Sequence, residues 1–373
     1  MVTAQRRTTA WTLAWLCVLV IAYASLYPFE DWRNQDIAPW SFLDAAWPKH
    51  FSNFDVWSNV LGYVPLGFWV CLAALRSGAA RMSSWLLAFS AACVFSFAME
   101  CLQSWLPVRV PSTVDWVCNS LGGVLGGLLA IFLERRGWLY HWTQFRQSWL
   151  LPDVSASLVL LVLWPLALLF PVSVPLGLGQ VLERLRSNLL LEFPGWQWLQ
   201  QLPPDGFFQT LSPRMEMVCV ALGLLVPALL GLSVVRHLGQ KLTVLFLLVL
   251  VAVLANCLSA ALTHGPEHSW YWLHPQVFGG LAVGLLVSLW AIKLPIRWLW
   301  ALMLSGQLLL LMWVNQLDTS TYFAQTLQTW EQGRFIRFHG LTQWLNWLWP
   351  WTLLLWGFWR FFQMAGPSLK RRT

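Results

Sequence analysis

The stretch Glu100–Gly127, ECLQSWLPVRVPSTVDWVCNSLGGVLGG, decides how the rest of the chain is read. Two strongly apolar runs meet here at a turn bounded by Pro107 and Pro111, which fix φ and restrict the residues before them. Glu100 and Gln103 are three apart, Asp115 and Asn119 four apart, so each pair shares one face of its helix. Arg109 sits in the turn between the pairs. Gly122, Gly123, Gly126 and Gly127 follow, a doubled small-xxx-small pattern that lets neighbouring helices approach closely.

The surroundings of this stretch are as apolar as its flanks. Hydrophobic residues make up 58% of the 373 residues and charged residues 10%, with mean hydropathy +0.57. A soluble domain carries about 25% charged residues, so the solvent for most of this chain is lipid. The 29 tryptophans suit bilayer interfaces, where amphipathic rings collect. A net charge of +7 raises nucleic acid as a partner, but the basic residues stand in small groups between apolar runs and fit a topology role instead. Cys17, Cys71, Cys93, Cys101, Cys118, Cys219 and Cys257 all fall inside apolar runs with no CxxC pair, the pattern of small packing residues. No metal-ligand spacing and no cofactor signature is present.

Spans of about 20 apolar residues are predicted at Ala10–Tyr27, Trp57–Leu75, Ser84–Trp105, Val114–Leu133, Leu150–Val174, Met215–Val235, Lys241–Leu262, Trp272–Ile292, Trp298–Leu317 and Thr342–Phe362. Trp138–Trp149 reads as an interfacial helix, and residues 28–56, 176–213 and 318–341 as external loops. Ala22-Tyr23-Ala24 resembles a signal-peptidase site, which makes cleavage of the first span the alternative to its retention. With ten spans and the N-terminus inside, fifteen of the 23 Lys and Arg residues fall on the inner side. Both termini are then cytoplasmic, and the turn holding Arg109 faces the other side.

A weak internal repeat accompanies this arrangement. Asn59…Gly62…Pro65 is echoed by Ala221…Gly223…Pro227, Glu100-Cys-Leu-Gln103 by Asn256-Cys-Leu-Ser259, and Gly122-Gly123 by Gly279-Gly280. The expected organisation is a four-span unit over 1–136, a divergent four-span unit over 137–293 and a two-span hairpin over 294–373. In the second unit the carboxylates of the first are missing, and His264, His268 and His274 stand near the corresponding turn as interface histidines.

Asp55 and Asn59, again four apart, complete one polar set: Asp55, Asn59, Glu100, Gln103, Arg109, Asp115 and Asn119. Three acids face one arginine. The excess charge calls for water, a proton, a cation or a ligand amine. Four uses of the set stay open. They are a structural cross-link, a ligand site with Arg109 gripping phosphate or carboxylate, an acid–base site built on Glu100 and Asp115, and part of a cation-coupled transporter. Arg334, Arg337 and His339, just before the last span, read as a solvated loop face.

Taken in order, Asn59-x5-Pro65-x-Gly67, Glu100-x2-Gln103, Arg109 and Asp115-x3-Asn119-x2-Gly122-x3-Gly126 resemble the VanZ-like family of bacterial membrane proteins, over residues 10–136. The resemblance implies a multi-span protein of the cell envelope, with the polar signature on Asn59, Glu100, Gln103, Arg109, Asp115 and Asn119. It also implies a link to glycopeptide (teicoplanin) resistance through the name-giving member. Two departures limit what carries over. Pro111-Ser112-Thr113 stands where many members place another acid, which weakens a two-carboxylate chemistry. The residues after 136 have no counterpart in short members. The expectation is an all-α, polytopic inner-membrane bundle of about ten spans with a parallel four-helix repeat. Pro65, Gly67 and the four glycines of Gly122–Gly127 shape its packing. Its first unit is expected to bind a polar headgroup or envelope precursor, with membrane lipids or another membrane protein as partners and without turnover. An intramembrane enzyme acting on a lipid-linked substrate and a purely structural scaffold are the alternatives.

Overall fold

In hydrocarbon a backbone must satisfy its own polar groups, and an uninterrupted apolar run does so as a helix. The computed structural model describes residues 9–27, 29, 31–44, 53–193, 195–196, 212–316 and 336–365. Those residues form helices joined by turns and irregular segments, with no strand among them; Leu150 and Val235 form one isolated bridge. The chain divides into two compact units, Met1–Gln144 and Phe145–Thr373.

The first unit holds α1 (Thr9–Leu26), α2 (Asn53–Arg76), α3 (Arg81–Gln103) and α4 (Thr113–Arg135). Helix α5 (Trp138–Trp149) contains the division between the units, at residues 144 and 145. The second unit holds α6 (Ser155–Ala167), α7 (Leu182–Glu192), α8 (Pro213–Leu232), α9 (Leu238–His264), α10 (Pro275–Ala291), α11 (Ile296–Val314) and α12 (Ile336–Ala365). Among the described residues six helices are long and apolar enough to cross a membrane: α2, α3, α4, α8, α9 and α11. Three apolar helices are shorter: Ala10–Leu26, Ser155–Ala167 and Pro275–Ala291.

In the first unit α4 is the centre, because its glycines remove the side chains that would hold neighbours off. A Cβ at Gly122 would collide with the Val60 carbonyl, and one at Gly126 with that of Val64, so this row seats α2. A Cβ at Gly123 would strike Ala92, and one at Gly127 would lie 2.9 Å from Trp85 Cδ1, so the adjoining row seats α3. Gly67 completes the crossing from the α2 side, against the backbone of Gly123. Pro65 lies inside α2 on an exposed face. Leu121, Leu125, Leu128 and Phe132 of α4 are exposed, an apolar face suited to lipid.

The second unit is built around α8, whose residues Val220 and Leu224–Leu230 are almost wholly buried. Gly280 and Gly284 bring α10 against it, with a Cβ at Gly280 only 2.6 Å from the Met217 carbonyl oxygen. The expected span over 150–174 differs from the structure. Only Ser155–Ala167 is helical, 13 residues, too short to cross a bilayer. The chain then runs irregularly from Leu168 to Gln180 and is largely buried, with Leu176 at φ 64° pressed against Gly223 of α8. Irregular backbone at such depth is tolerated only where protein groups satisfy it, and here they do. Ser259 donates to the Leu169 carbonyl (3.0 Å), Asn346 to that of Ala167 (3.3 Å) and Asn315 to that of Gly179 (2.9 Å). Residues 176–180, expected in an external loop, belong to this buried segment.

Candidate functional site

Each of α2, α3 and α4 carries two polar residues four apart: Asn59 and Tyr63, Ser96 and Glu100, Asp115 and Asn119. The close crossings at Gly122 and Gly126 bring these three faces together, since Gly122 meets the backbone of Val60 and the Cβ of Tyr63. The result is a ladder of polar contacts. Asn59 Nδ2 donates to Asp115 Oδ1 at 2.7 Å, tying α2 to α4. Asn119 Nδ2 donates to Ser96 Oγ at 2.9 Å, tying α4 to α3. Tyr63 of α2 is buried, and its ring meets that of Phe95 on α3, next to Ser96, with 6.3 Å between centroids, which closes the triangle between α2 and α3 by packing.

Glu100 is 3% exposed, and its Oε2 accepts from the Ser112 backbone N–H at 2.9 Å. Ser112 is the N-cap of α4, its Oγ accepting from the Asp115 N–H. The carboxylate of one helix and the start of the next are therefore joined through one residue. Three-residue spacing had placed Gln103 beside Glu100, but its amide turns elsewhere and donates to the Ser25 carbonyl at 3.1 Å.

Arg109 points toward α1. Its Nε and Nη2 donate to the Tyr27 carbonyl (3.1 and 2.6 Å) and Nη2 also reaches that of Ala24 (3.3 Å). These are carbonyls at the C-terminal end of α1, where a cation opposes the partial negative charge of the helix terminus. Asp55 is exposed, one turn from Asn59 on the same face, and forms the rim of the ladder. Beside it the segment 31–44 folds over the α3–α4 turn. Arg33 N–H donates to the Trp105 carbonyl (3.0 Å), Gln35 to that of Ser104 (2.7 Å), and Thr113 to that of Phe42. The buried Phe42 ring meets Phe97, which in turn meets Trp116 edge-on.

The structure thus joins Asn59, Asp115, Asn119 and Glu100 in one ladder, gives Gln103 and Arg109 to the end of α1, and leaves Asp55 at the rim. Tyr63 and Ser96 were missed in the sequence. Their signal was the four-residue offset from Asn59 and Glu100, hidden because Tyr and Ser pass as ordinary in an apolar helix.

In the second unit the histidines do not share a site. His268 Nδ1 lies 2.9 Å from the His264 carbonyl, while His274 Nε2 meets Glu216 Oε1 at 3.1 Å. Glu216 corrects the expectation that this unit lost its carboxylates: it occupies the first turn of α8 and pairs with the N-cap of α10. Arg334 lies outside the described residues, and Arg337 and His339 fall in the first turn of α12.

No curated protein and no solved structure matches the chain. A family model described as VanZ/LLP1 does match, over residues 4–134. That interval contains α1 through nearly all of α4 and every residue of the ladder. The N-terminal third of this membrane protein is therefore VanZ-like.

Proposed function

We propose that the VanZ-like unit binds a polar lipid headgroup or a lipid-linked envelope precursor at the outer leaflet of a bacterial inner membrane, without chemical turnover. The observation that carries this reading is the ladder itself. It opens at an acidic rim, the exposed Asp55 with the half-buried pair Asn59 and Asp115, and leads inward from the α3–α4 turn. Asp55 and Asp115 bring two carboxylates to this mouth. The headgroup it suits carries donors, an amine or several hydroxyls, rather than a bare anion. Both termini are cytoplasmic in this reading, and the number of spans rises toward ten with α1, α10, α12 and a crossing completed by α6 together with the buried irregular segment that follows it. The divisions 1–136, 137–293 and 294–373 and the parallel repeat belong to the same proposal. A role in glycopeptide resistance would follow from capture of an envelope precursor.

The test uses the full chain in lipid nanodiscs of phosphatidylglycerol, with and without phosphatidylethanolamine, at one fixed salt composition. The amine lipid should raise the unfolding temperature of the wild type, and Asp55→Asn with Asp115→Asn should abolish the increment. An increment that survives both substitutions overturns the reading.

A further inference from the structure

One end of the second unit, where α5 closes, α8 turns into α9 and α10 turns into α11, gathers positive charge. Its three segments, 145–154, 233–241 and 291–299, carry Arg146, Arg236, Lys241, Lys293 and Arg297 against the single acid Asp153. Hydrogen bonds join the segments. The Leu151 N–H donates to the Val234 carbonyl (2.9 Å) and Arg236 Nε to that of Leu150 (3.0 Å), which ties the first segment to the second. Lys241 Nζ donates to the Ile292 carbonyl at 3.0 Å, which ties the second to the third. Lys293 and Arg297 follow on the same turn and are exposed.

The partners of these cations separate the face from a plain topology signal, which acts through charge near a span and needs no ordered side chain. Arg236 and Lys241 are held on carbonyl oxygens, and Arg146 Nη2 on the Ser155 hydroxyl at 3.0 Å. Those oxygens carry no net charge, so the side chains are fixed in place while their charge stays uncancelled. Asp153 is exposed and makes no ion pair among the described residues. In the first unit, by contrast, Arg81 meets Glu134 at 3.4 Å. Glu216 and Glu267 stand away from this face, in the first turn of α8 and just past the last residue of α9. Depth decides the kind of anion. Trp290 and Trp298 flank Lys293 and are 63% and 64% exposed. Such rings collect where hydrocarbon meets headgroups, which sets the cations at the level of lipid phosphates. A soluble polyanion would leave the same rings in water.

We propose that this end of the second unit is a binding face for anionic phospholipid headgroups. Guanidinium and ammonium groups suit phosphodiester oxygens, and a cluster of basic residues beside a membrane span attracts lipids of net negative charge. A headgroup seated across the three segments adds a contact between turns that the chain already links by single hydrogen bonds, so anionic lipid tightens this end of the bundle. The inference stands apart from the headgroup reading of the first unit, because it uses other side chains and the opposite lipid charge.

The experiment titrates the purified full chain in detergent with phosphatidylglycerol or phosphatidylcholine and counts the first bound lipid by native mass spectrometry. Both lipids carry a phosphate, but only phosphatidylglycerol has a net negative charge, and it should bind the more tightly. Arg146→Gln and Lys293→Gln, at two exposed positions, should each weaken it about fivefold, the equivalent of about 1 kcal/mol for one cation beside an anionic headgroup. Phosphatidylcholine binding should not change, and Arg146→Lys should recover most of the loss. Unfolding temperatures equal to wild type in phosphatidylcholine show that the variants are folded. Equal binding of the two lipids by the wild type overturns the proposal, as does unchanged phosphatidylglycerol binding in both glutamine variants. Removing two charges from the first unit, Arg76→Gln with Arg135→Gln, is the control. A loss as large as that of Arg146→Gln with Lys293→Gln would mean that net charge, not this face, draws the lipid, and overturns the proposal too. The amine-dependent increment at the acidic rim is read with another lipid and other variants, so either proposal can fail alone.

Discussion

Arg109 shows that a side chain suited to one kind of partner can also serve another. A guanidinium beside three acids invites an anion-binding reading, because its fork matches carboxylate and phosphate. In the fold its Nε and Nη2 serve the carbonyls of Tyr27 and Ala24, and Gln103 takes that of Ser25 between them. Two side chains from the α3–α4 region thus cap the last turn of α1, and the capped peptide includes the Ala24 carbonyl of the signal-peptidase-like sequence. Arg109→Ala should therefore fray α1 at its end: amide exchange at residues 23–27 should rise about tenfold, the equivalent of one charged hydrogen bond lost. Arg109→Lys should restore part of the protection. Exchange that stays at the wild-type rate would show that α1 is held by packing alone. The acids, amides and arginine were visible in the sequence because polar residues are rare in such runs. Their partners were not, since Tyr27, Ala24 and Ser25 contribute backbone that any residue would supply.

At the scale of elements, the glycine pattern was the most legible feature and the fifth span the least. Gly122–Gly127 announces two rows one residue apart, and the structure gives one row to α2 and the other to α3. The physical content is testable by contrast with Gly62, an exposed α2 glycine with nothing within 4 Å of its added Cβ. Gly126→Ala places a methyl into the Val64 carbonyl and must push α2 and α4 apart, at about 1–3 kcal/mol for overpacking. Gly62→Ala should stay within about 1 kcal/mol of wild type and can gain from helix propensity. Unfolding free energies measured in the same micelles decide between them. Equal effects at both positions would mean that the crossing relaxes freely. The segment 150–174 could not be read this way. Its largely apolar composition fits a span, and the groups that let its backbone leave the helix lie far away in sequence, on Ser259, Asn315 and Asn346. Pro165, Pro171 and Pro175 hinted at a break, but proline alone does not say whether a kinked helix or a buried irregular strap follows.

For the whole molecule, the governing asymmetry is charge against turn chemistry. In the first unit Arg76, Arg81, Arg135 and Arg136 collect at one end, with Arg81 meeting Glu134 at 3.4 Å, while the ladder opens at the other. Cytoplasmic loops attract Lys and Arg, so the prediction places the arginine-rich end inside and the turn at Arg109 outside. The two ends of α3 offer a direct check, since Ala79 precedes it and Val110 follows it, both exposed. In a background with all seven cysteines replaced, Val110→Cys should react with a membrane-impermeant maleimide in intact cells or spheroplasts. Ala79→Cys should react only after permeabilisation. Neither site contributes a side chain to the ladder or a charge to the topology signal, so the labelling reports orientation without disturbing it. The inverse pattern would turn the acidic rim toward the cytoplasm. A headgroup site for the outer leaflet would then be untenable.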